Sequence, residues 1–94
     1  MQITYNPKKN ERNIRERNLS FNRVADFDFN TAVRSIDVRE DYGEVRVVAV
    51  GYLDQRLHSL CYIDTDDGIR VISFRKANDR EARRYAKDKA TDQR

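Results

Sequence analysis

A β-branched run near the middle of the chain constrains the fold more than any other feature. Residues 43–52 read Gly-Glu-Val-Arg-Val-Val-Ala-Val-Gly-Tyr, and valine is among the residues that pleated strands favour. Because strand side chains alternate between the two faces of a sheet, Glu44 and Arg46 are expected on one face and Val45 on the other. The run therefore predicts a central strand with an acid and a base close together at its entrance.

Two further strands are predicted directly after this run. Residues 57–64 and 69–75 are rich in apolar and β-branched side chains, and the polar segment 65–68, Thr-Asp-Asp-Gly, separates them. Asp-Gly between two apolar runs is a strong hairpin signal. We expect an antiparallel meander whose strands carry charged or titratable side chains able to converge in space. These are Glu44, Arg46, His58, Arg70, Arg75 and, at the end of the last strand, Lys76.

The segment before the central run predicts a strand followed by a helix. Residues 2–5 alternate in polarity and favour a short first strand. Asn6 suits a helix cap and Pro7 suits the first helical position, so a polar helix over residues 8–17 is expected. Asn18 tolerates the left-handed conformation that ends helices.

A second, shorter helix and a weak strand are expected between this helix and the central run. Ser20 has the character of a cap, and Phe21, Val24 and Ala25 follow at the i, i+3, i+4 spacing of a helix face buried in the core. Residues 31–39 alternate with β-branched side chains and favour a strand.

A last helix is predicted from a capping box, in which Asn78 precedes Glu81 by three residues. Its apolar stripe is short, so we expect it to dock lightly and to fray after about residue 89. The stripe consists of Ala82, Tyr85 and Ala86. The order of elements predicts an α+β domain in which a small antiparallel sheet carries two N-terminal helices and a C-terminal helix gathered on one of its faces.

Length and composition favour one domain over residues 1–94 in the cytoplasm. A chain of 94 residues is near the size at which a single core is adequate. The lone Cys61 cannot form an internal disulfide, which is typical of a reducing compartment. No apolar run approaches the length of a membrane span, and the N-terminus lacks the order of a secretory signal.

Positive charge is concentrated at both ends of the chain. Residues 1–18 hold five basic and two acidic side chains, residues 75–94 hold eight and four, and residues 19–74 hold six and ten. If the two ends flank the sheet, they form a rim that attracts phosphate. The alternative is that Arg and Lys only solvate two exposed helices.

The sequence predicts neither a metal site nor a cofactor. His58 and Cys61 would project from opposite faces of one strand, so they cannot chelate the same ion, and no third ligand is evident. Glycine-rich phosphate loops and Ser/His/Asp constellations are also missing from the sequence.

Four groups of residues, in this order and spacing, match a known family. They are Tyr5-Asn6-Pro7-Lys8-Lys9 with Asn13-Ile14-Arg15; Leu19-Ser20-Phe21; Asp41-Tyr42-Gly43-Glu44-Val45-Arg46 with Gly51; and Ile69-Arg70-Val71-Ile72-Ser73-Phe74-Arg75-Lys76-Ala77 with Glu81 and Tyr85. From about Ile3 to Tyr85 the chain resembles the BrnT toxins of type II BrnT/BrnA toxin–antitoxin systems. The resemblance implies a RelE-like fold and an RNA-cleaving toxin that inhibits translation. It also implies a BrnA-like antitoxin partner that binds DNA, so that this chain would reach DNA only through a hetero-oligomer.

Metal-free RNA cleavage needs a base, cations for the phosphate and an acid, and the sequence offers candidates for each. Glu44 is the candidate base. Candidates for proton donation are His58 and Tyr85. The candidate phosphate ligands are Arg46, Arg70, Arg75 and Lys76. Further RNA contacts are expected from Lys8, Lys9, Arg17, Arg83 and Arg84.

Each of these residues also has a plain structural interpretation. Glu44 and Arg46 can form a surface ion pair without function. His58 can be a hydrogen-bonded sheet residue, and Tyr85 can be the side chain that anchors the last helix.

Two departures from the family pattern bear on activity. Many relatives have Lys-His-Gly after the first helix, where this chain has Glu16-Arg17-Asn18, so the role of that histidine is lost or passes to Arg17 or His58. Relatives often have Trp-Asp-Pro where this chain has Tyr5-Asn6-Pro7, an exchange that keeps an aromatic ring and a cap. The alternative function is a non-catalytic RNA- or protein-binding module derived from such a toxin.

Overall fold

A computed structural model describes residues 1–92 as a five-stranded sheet with helices packed against it. The elements in chain order are β1 (Gln2–Tyr5), α1 (Pro7–Arg17), a 3₁₀ helix (Phe21–Asp26), β2 (Val33–Ile36), β3 (Val47–Leu53), β4 (Arg56–Thr65), β5 (Gly68–Lys76) and α2 (Asp79–Asp92). The mixed α+β class is confirmed. Residues 1–92 contain no helix of the length and apolarity needed to cross a membrane.

The sheet has the strand order β1-β5-β4-β3-β2. Strands β2 to β5 form the predicted antiparallel meander, but β1 pairs with β5 in parallel, so the expectation of a purely antiparallel sheet is wrong. The parallel pair depends on a close backbone approach, because a Cβ atom at Gly68 would overlap the main chain of Gln2. Residues 6–67 separate β1 from β5, so no hairpin constrains the direction of β1.

The caps of α1 are confirmed. The Asn6 side chain accepts hydrogen bonds from the backbone N–H groups of Lys8 and Lys9, and Pro7 occupies the first helical position. Asn18 ends the helix with φ +53°, in the left-handed region. These caps use only neighbouring residues, which is why the sequence predicts them closely.

The second helix is a 3₁₀ helix, and this changes its buried face. Ser20 caps it as predicted, and Phe21 and Val24 are buried, but Ala25 is exposed. The prediction of Ala25 as a core residue is wrong because a 3₁₀ helix has three residues per turn. Its buried face therefore continues to Phe27, three residues after Val24.

Strands β2 and β3 are shorter than predicted where the loop between them begins and ends. β2 stops at Ile36 rather than near residue 39, and β3 starts at Val47 rather than at residue 43. Pairing of β2 with β3 ends near the hydrogen bond from the Asp37 N–H to the Arg46 carbonyl, 2.8 Å. Beyond it residues 37–46 form a loop, in which the Asp37 carboxylate accepts hydrogen bonds from Arg39 and Tyr42. Glu44 therefore lies in a loop rather than in the strand.

The last helix, α2, begins as predicted. The capping box is confirmed, since the Asn78 N–H donates to Glu81 Oε1 (2.9 Å) and the Glu81 N–H donates to Asn78 Oδ1 (2.8 Å). The helix extends to Asp92, and residues 93–94 lie outside the described part. The expected fraying after about residue 89 stays a prediction.

The two faces of the sheet carry different helices. Phe21, Val24 and the strand side chains Ala49, Leu60 and Phe74 form the main core beneath α1 and the 3₁₀ helix. By strand alternation the opposite face carries Val48 and Val50, and these line a cavity together with Tyr85 of α2. The expectation that all helices gather on one face is therefore wrong.

Candidate functional site

A cleft of about 600 Å³ opens at one end of the sheet, where the β3–β4 turn, the end of β5 and the end of α1 meet. Its lining is strongly basic, with one acidic side chain among six charged ones. The lining residues are Arg17, Asn18, Leu19, Arg23, Leu53, Asp54, Arg56, His58, Arg75 and Lys76. We refer to this site as the basic cleft. Three of the residues predicted as catalytic, His58, Arg75 and Lys76, lie here, together with the predicted RNA ligand Arg17.

His58 is the group in this cleft best suited to proton transfer. It lies directly opposite Lys76 in the β4–β5 ladder, and paired side chains in such a ladder project from the same face. Its Nδ1 atom is 2.8 Å from the carbonyl oxygen of Arg56. A carbonyl only accepts hydrogen bonds, so Nδ1 carries a proton, and in the tautomer with a single ring proton Nε2 is an acceptor.

The surroundings of His58 fix its ring. The side chain is only 5% exposed and stacks at a tilt on Phe74, with ring centroids 5.5 Å apart. His58 is thus a hydrogen-bonded sheet residue, as the structural interpretation expects, and it also lines the cleft. The two roles are compatible because the structural bond occupies only one ring nitrogen.

Arg17 reaches the cleft from the last turn of α1. Its Nη1 donates to the Oδ1 atom of Asn13, 3.2 Å away. Asn13 is buried and donates to the carbonyl oxygens of Leu19 and Phe74, 2.9 Å in both cases. These bonds connect α1 to β5 and set the position of Arg17 beside the strand that carries Lys76.

Arg75 is held by α2. By strand alternation its side chain projects from the face opposite His58 and Lys76, where Nη1 and Nη2 donate to the two carboxylate oxygens of Glu81 at 2.7 and 3.1 Å. The hydrogen bond from Arg75 is the main cause that holds the pKa of Glu81 below its ordinary value. Arg75 is therefore at the edge of the cleft, with its guanidinium already paired.

Sequence reasoning missed Arg23, Asp54 and Arg56. Asp54 and Gln55 form the two-residue turn between β3 and β4, with φ of +50° and +67°, as in the tight turns that join hairpin strands. The Asp54 carboxylate accepts two 2.8 Å hydrogen bonds from Nη2 of Arg23, and this contact is the main cause of its lowered pKa. The sequence could indicate the turn but not its contact with Arg23, because Arg23 and Asp54 are 31 positions apart.

The remaining site residues that the sequence places on strands form a second cluster at the other end of the sheet, with Glu44 and Arg46 just before β3 and Arg70 on β5. Glu44 lies 3.7 Å from Arg46 and 3.4 Å from Arg70. The guanidinium of Arg46 stacks on the ring of Tyr42, 3.9 Å from its centroid. Arg70 pairs with Ile63, five residues along β4 from His58, which places the cluster about 17 Å from the cleft at 3.3 to 3.4 Å per residue.

The predicted convergence of all strand side chains on one site is thus wrong. The Glu44–Arg46 ion pair expected from the structural interpretation is present. No feature of the structure tests a catalytic role for either residue, so that role stays a prediction.

Tyr85 and the other predicted RNA ligands also lie away from the cleft. The Tyr85 hydroxyl donates to the Thr31 carbonyl (3.2 Å), and its ring meets the ring of Tyr52 edge-on at 5.7 Å. These contacts fit the alternative role of an anchor for α2. The other four predicted ligands are exposed on helix surfaces, two on α1 and two on α2. They are Lys8, Lys9, Arg83 and Arg84.

Within residues 1–92, no three His, Cys, Asp or Glu side chains are grouped closely enough to hold a metal ion. The lining of the cleft includes one imidazole, one carboxylate and several cations. Such a set can bind a phosphodiester and move a proton beside it.

Comparison with known protein families identifies the chain. The family model described as the ribonuclease toxin BrnT of type II toxin–antitoxin systems matches residues 5–81. A comparison with curated protein sequences gives no match. The matched range begins just before α1 and ends at the capping box of α2, so it contains every residue that lines the basic cleft. The chain therefore belongs to the BrnT family, the ribonuclease toxins of type II toxin–antitoxin systems.

Proposed function

We propose that this chain is an active endoribonuclease that cleaves RNA without a metal ion at the basic cleft. The single observation that carries the proposal is the pairing of His58 with Lys76 on one face, in a cleft that also contains Arg17 and Arg56. Family membership supplies the reaction class. The cleft supplies a base, cations and a donor within one cavity.

The reaction we propose is attack of the ribose 2′ oxygen on the adjacent phosphorus. Nε2 of His58 accepts the 2′-hydroxyl proton, and the 2′ oxygen forms a bond to phosphorus while the bond to the 5′ oxygen breaks. The ammonium of Lys76 donates the proton that the leaving 5′ oxygen needs, and Arg17 offsets the charge that develops on the phosphoryl oxygens. The products are a 2′,3′-cyclic phosphate and a free 5′-hydroxyl.

Glu44 has no part in this proposal because of its distance from the cleft. The guanidinium of Arg75 faces α2, so we assign Arg75 to holding that helix through Glu81 rather than to the reacting phosphate. Tyr85 holds the same helix through its contact with Thr31. RNA held in the cleft would extend beyond it toward the exposed cations of α1 and α2.

We further propose that a BrnA-like antitoxin neutralises the toxin in the cytoplasm, and that this chain reaches DNA only through that partner. Type II systems pair a toxin with a protein antitoxin, and the family match supports a protein partner of that kind. The compact arrangement of the described elements around one sheet supports a single domain over residues 1–94.

The experiment that tests catalysis measures cleavage of a defined RNA by the purified chain in excess EDTA. We expect cleavage by the parent protein and products that end in a 2′,3′-cyclic phosphate. His58→Gln and Lys76→Met should each lower the rate by about 100-fold or more, the usual range for a lost acid or base. Glu44→Gln should cleave as the parent does. The matched control Lys87→Met, which removes an exposed lysine from α2 outside the cleft, should leave the cleavage rate at saturating RNA unchanged.

Two outcomes would contradict the proposal. A folded His58→Gln protein that cleaves at the parental rate would remove the chemistry from the cleft. A parent that binds RNA and leaves it intact would favour the non-catalytic binding module, which the sequence Glu16-Arg17-Asn18 in place of Lys-His-Gly already makes the second candidate. Induced expression without the antitoxin, with growth and total RNA followed together, gives the same distinction in cells.

A further inference from the structure

The ion pair between Arg23 and Asp54 at the basic cleft has a geometry that a phosphate can replace. Arg23 lies on the 3₁₀ helix and Asp54 on the β3–β4 turn, and both line the cleft. One nitrogen of the guanidinium, Nη2, meets both carboxylate oxygens at 2.8 Å. Guanidinium groups bind carboxylates and phosphates with the same pattern of N–H donors.

The pair is exposed, so little holds it closed against a competing anion. The Arg23 side chain is 40% exposed and the Asp54 side chain is 65% exposed. Exposed ion pairs add little to stability because solvent screens them. Arg23 has a second carboxylate partner, because its Nε donates to Asp26 at 3.3 Å.

We infer that Arg23 is a phosphate-binding subsite of the cleft, which Asp54 occupies until the RNA backbone displaces it. The inference rests on the proposed function, because it assumes that the cleft binds RNA. The ligand at Arg23 is a backbone phosphate of the RNA next to the one that reacts between His58 and Lys76. Asp54 thereby lowers the affinity of the empty cleft for anions, and an RNA strand displaces it more readily than a small anion does because the strand also engages the remaining cations.

The structure provides a substitution that removes the competing charge without disturbing the turn. Asp54 has φ +50°, and asparagine is the non-glycine residue that best tolerates this left-handed conformation. Asp54→Asn therefore keeps the hairpin while it replaces the carboxylate by a neutral amide. Nη2 of Arg23 is then available to a phosphate, while Nε keeps its hydrogen bond to Asp26.

The test is the affinity for an RNA oligonucleotide with 2′-O-methyl groups, which cannot be cleaved by the proposed reaction. Fluorescence anisotropy at several salt concentrations gives both the affinity and its salt dependence. We expect Asp54→Asn to bind about two- to fivefold more tightly than the parent, since the RNA no longer displaces a carboxylate. The slope of log K against log salt should become steeper by up to about 0.7, because the substitution removes one negative charge from the cleft that binds the RNA.

Three controls make the result specific. Asp66→Asn changes the net charge equally in the turn at the far end of β4, and it should leave affinity unchanged. Asp26→Asn removes the other partner of Arg23 and should have a smaller effect than Asp54→Asn. Arg23→Gln should weaken binding in the parent and should abolish the gain from Asp54→Asn when the two are combined.

The outcomes separate this inference from the proposed function. If the parent does not bind the oligonucleotide, the proposed function fails and the inference fails with it. If the parent binds and Asp54→Asn binds equally or more weakly, only the displaced-carboxylate inference is refuted. If Arg23→Gln leaves RNA binding unchanged but weakens capture of the antitoxin, Arg23 recognises an acidic protein partner and the phosphate subsite is refuted.

Discussion

Replacing the buried Asn13 by aspartate tests how α1 is joined to the sheet and to the cleft. The Asn13 side chain is 6% exposed, and its Nδ2 group donates to the carbonyls of Leu19 and Phe74 at 2.9 Å. Asn13→Asp preserves the shape of the side chain but puts an acceptor oxygen where both carbonyls need a donor. The bond that Arg17 donates to Oδ1 would remain.

The structure sets the size of the effect. A buried carbonyl that loses its donor costs about 1–3 kcal/mol, and two are affected here. The ion pair gained with Arg17 offsets part of this, so we expect Asn13→Asp to lower the free energy of unfolding by about 3 kcal/mol. For a domain of this size that corresponds to a fall in Tm of roughly 12–24 °C. Thermal and urea denaturation, followed by circular dichroism, measure both quantities.

Asn10 provides a matched control one turn earlier on the same helix. Its Oδ1 accepts a 2.8 Å hydrogen bond from the N–H of Phe21, so the structure uses Asn10 as an acceptor and Asn13 as a donor. Asn10→Asp keeps an acceptor in place and should lower the free energy of unfolding by less than about 1 kcal/mol. Equal losses for the two variants, or an Asn13→Asp protein as stable as the parent, would refute the donor argument.

Two further predictions concern acid stability and the core. Because Arg75 keeps the pKa of Glu81 below its ordinary value of 4.5, the pair stabilises the fold above that pH and loses its effect as the pH falls through the lower, folded-state value. Glu81→Gln should thus lower the free energy of unfolding by about 1 kcal/mol at neutral pH and make it less sensitive to acid below pH 4.5, as urea titrations at several pH values would show. Parallel pH profiles would contradict this. Val24→Ala should lower the free energy of unfolding by about 2 kcal/mol because Val24 is fully buried. The adjacent Ala25→Ser should change it by less than about 0.5 kcal/mol. Similar losses for the two variants in thermal denaturation would argue against the 3₁₀ arrangement.

Features that depend on neighbouring residues could be predicted from the sequence. The caps at Asn6, Ser20 and Asn78 each place a side chain against a backbone group two or three residues away. Their position in the chain therefore fixes their geometry. The same locality explains the prediction of the β4–β5 hairpin from Asp67-Gly68.

Features that depend on distant contacts could not be predicted. The parallel pairing of β1 with β5 and the packing of α2 on the second face both bring together residues far apart in sequence. The sequence pattern wrongly predicts Ala25 in the core because it does not distinguish an α-helix from a 3₁₀ helix over six residues. The sequence does not indicate a role for Arg23, because its partner Asp54 lies on a turn that comes close to the 3₁₀ helix only in the folded chain.

The division of the predicted site residues into two clusters follows from the topology of the meander itself. In an antiparallel meander the start of one strand lies beside the end of the next, so the residues before β3 and those at the start of β4 must be at opposite ends of the sheet. Glu44 precedes β3, whereas His58 is near the start of β4, so the two cannot meet. The same rule places Lys76, at the end of β5, beside His58, and Arg70, near its start, beside Glu44. A meander therefore assigns its charged residues to one end or the other before any register is known, and the end with the histidine is the one at which the basic cleft opens.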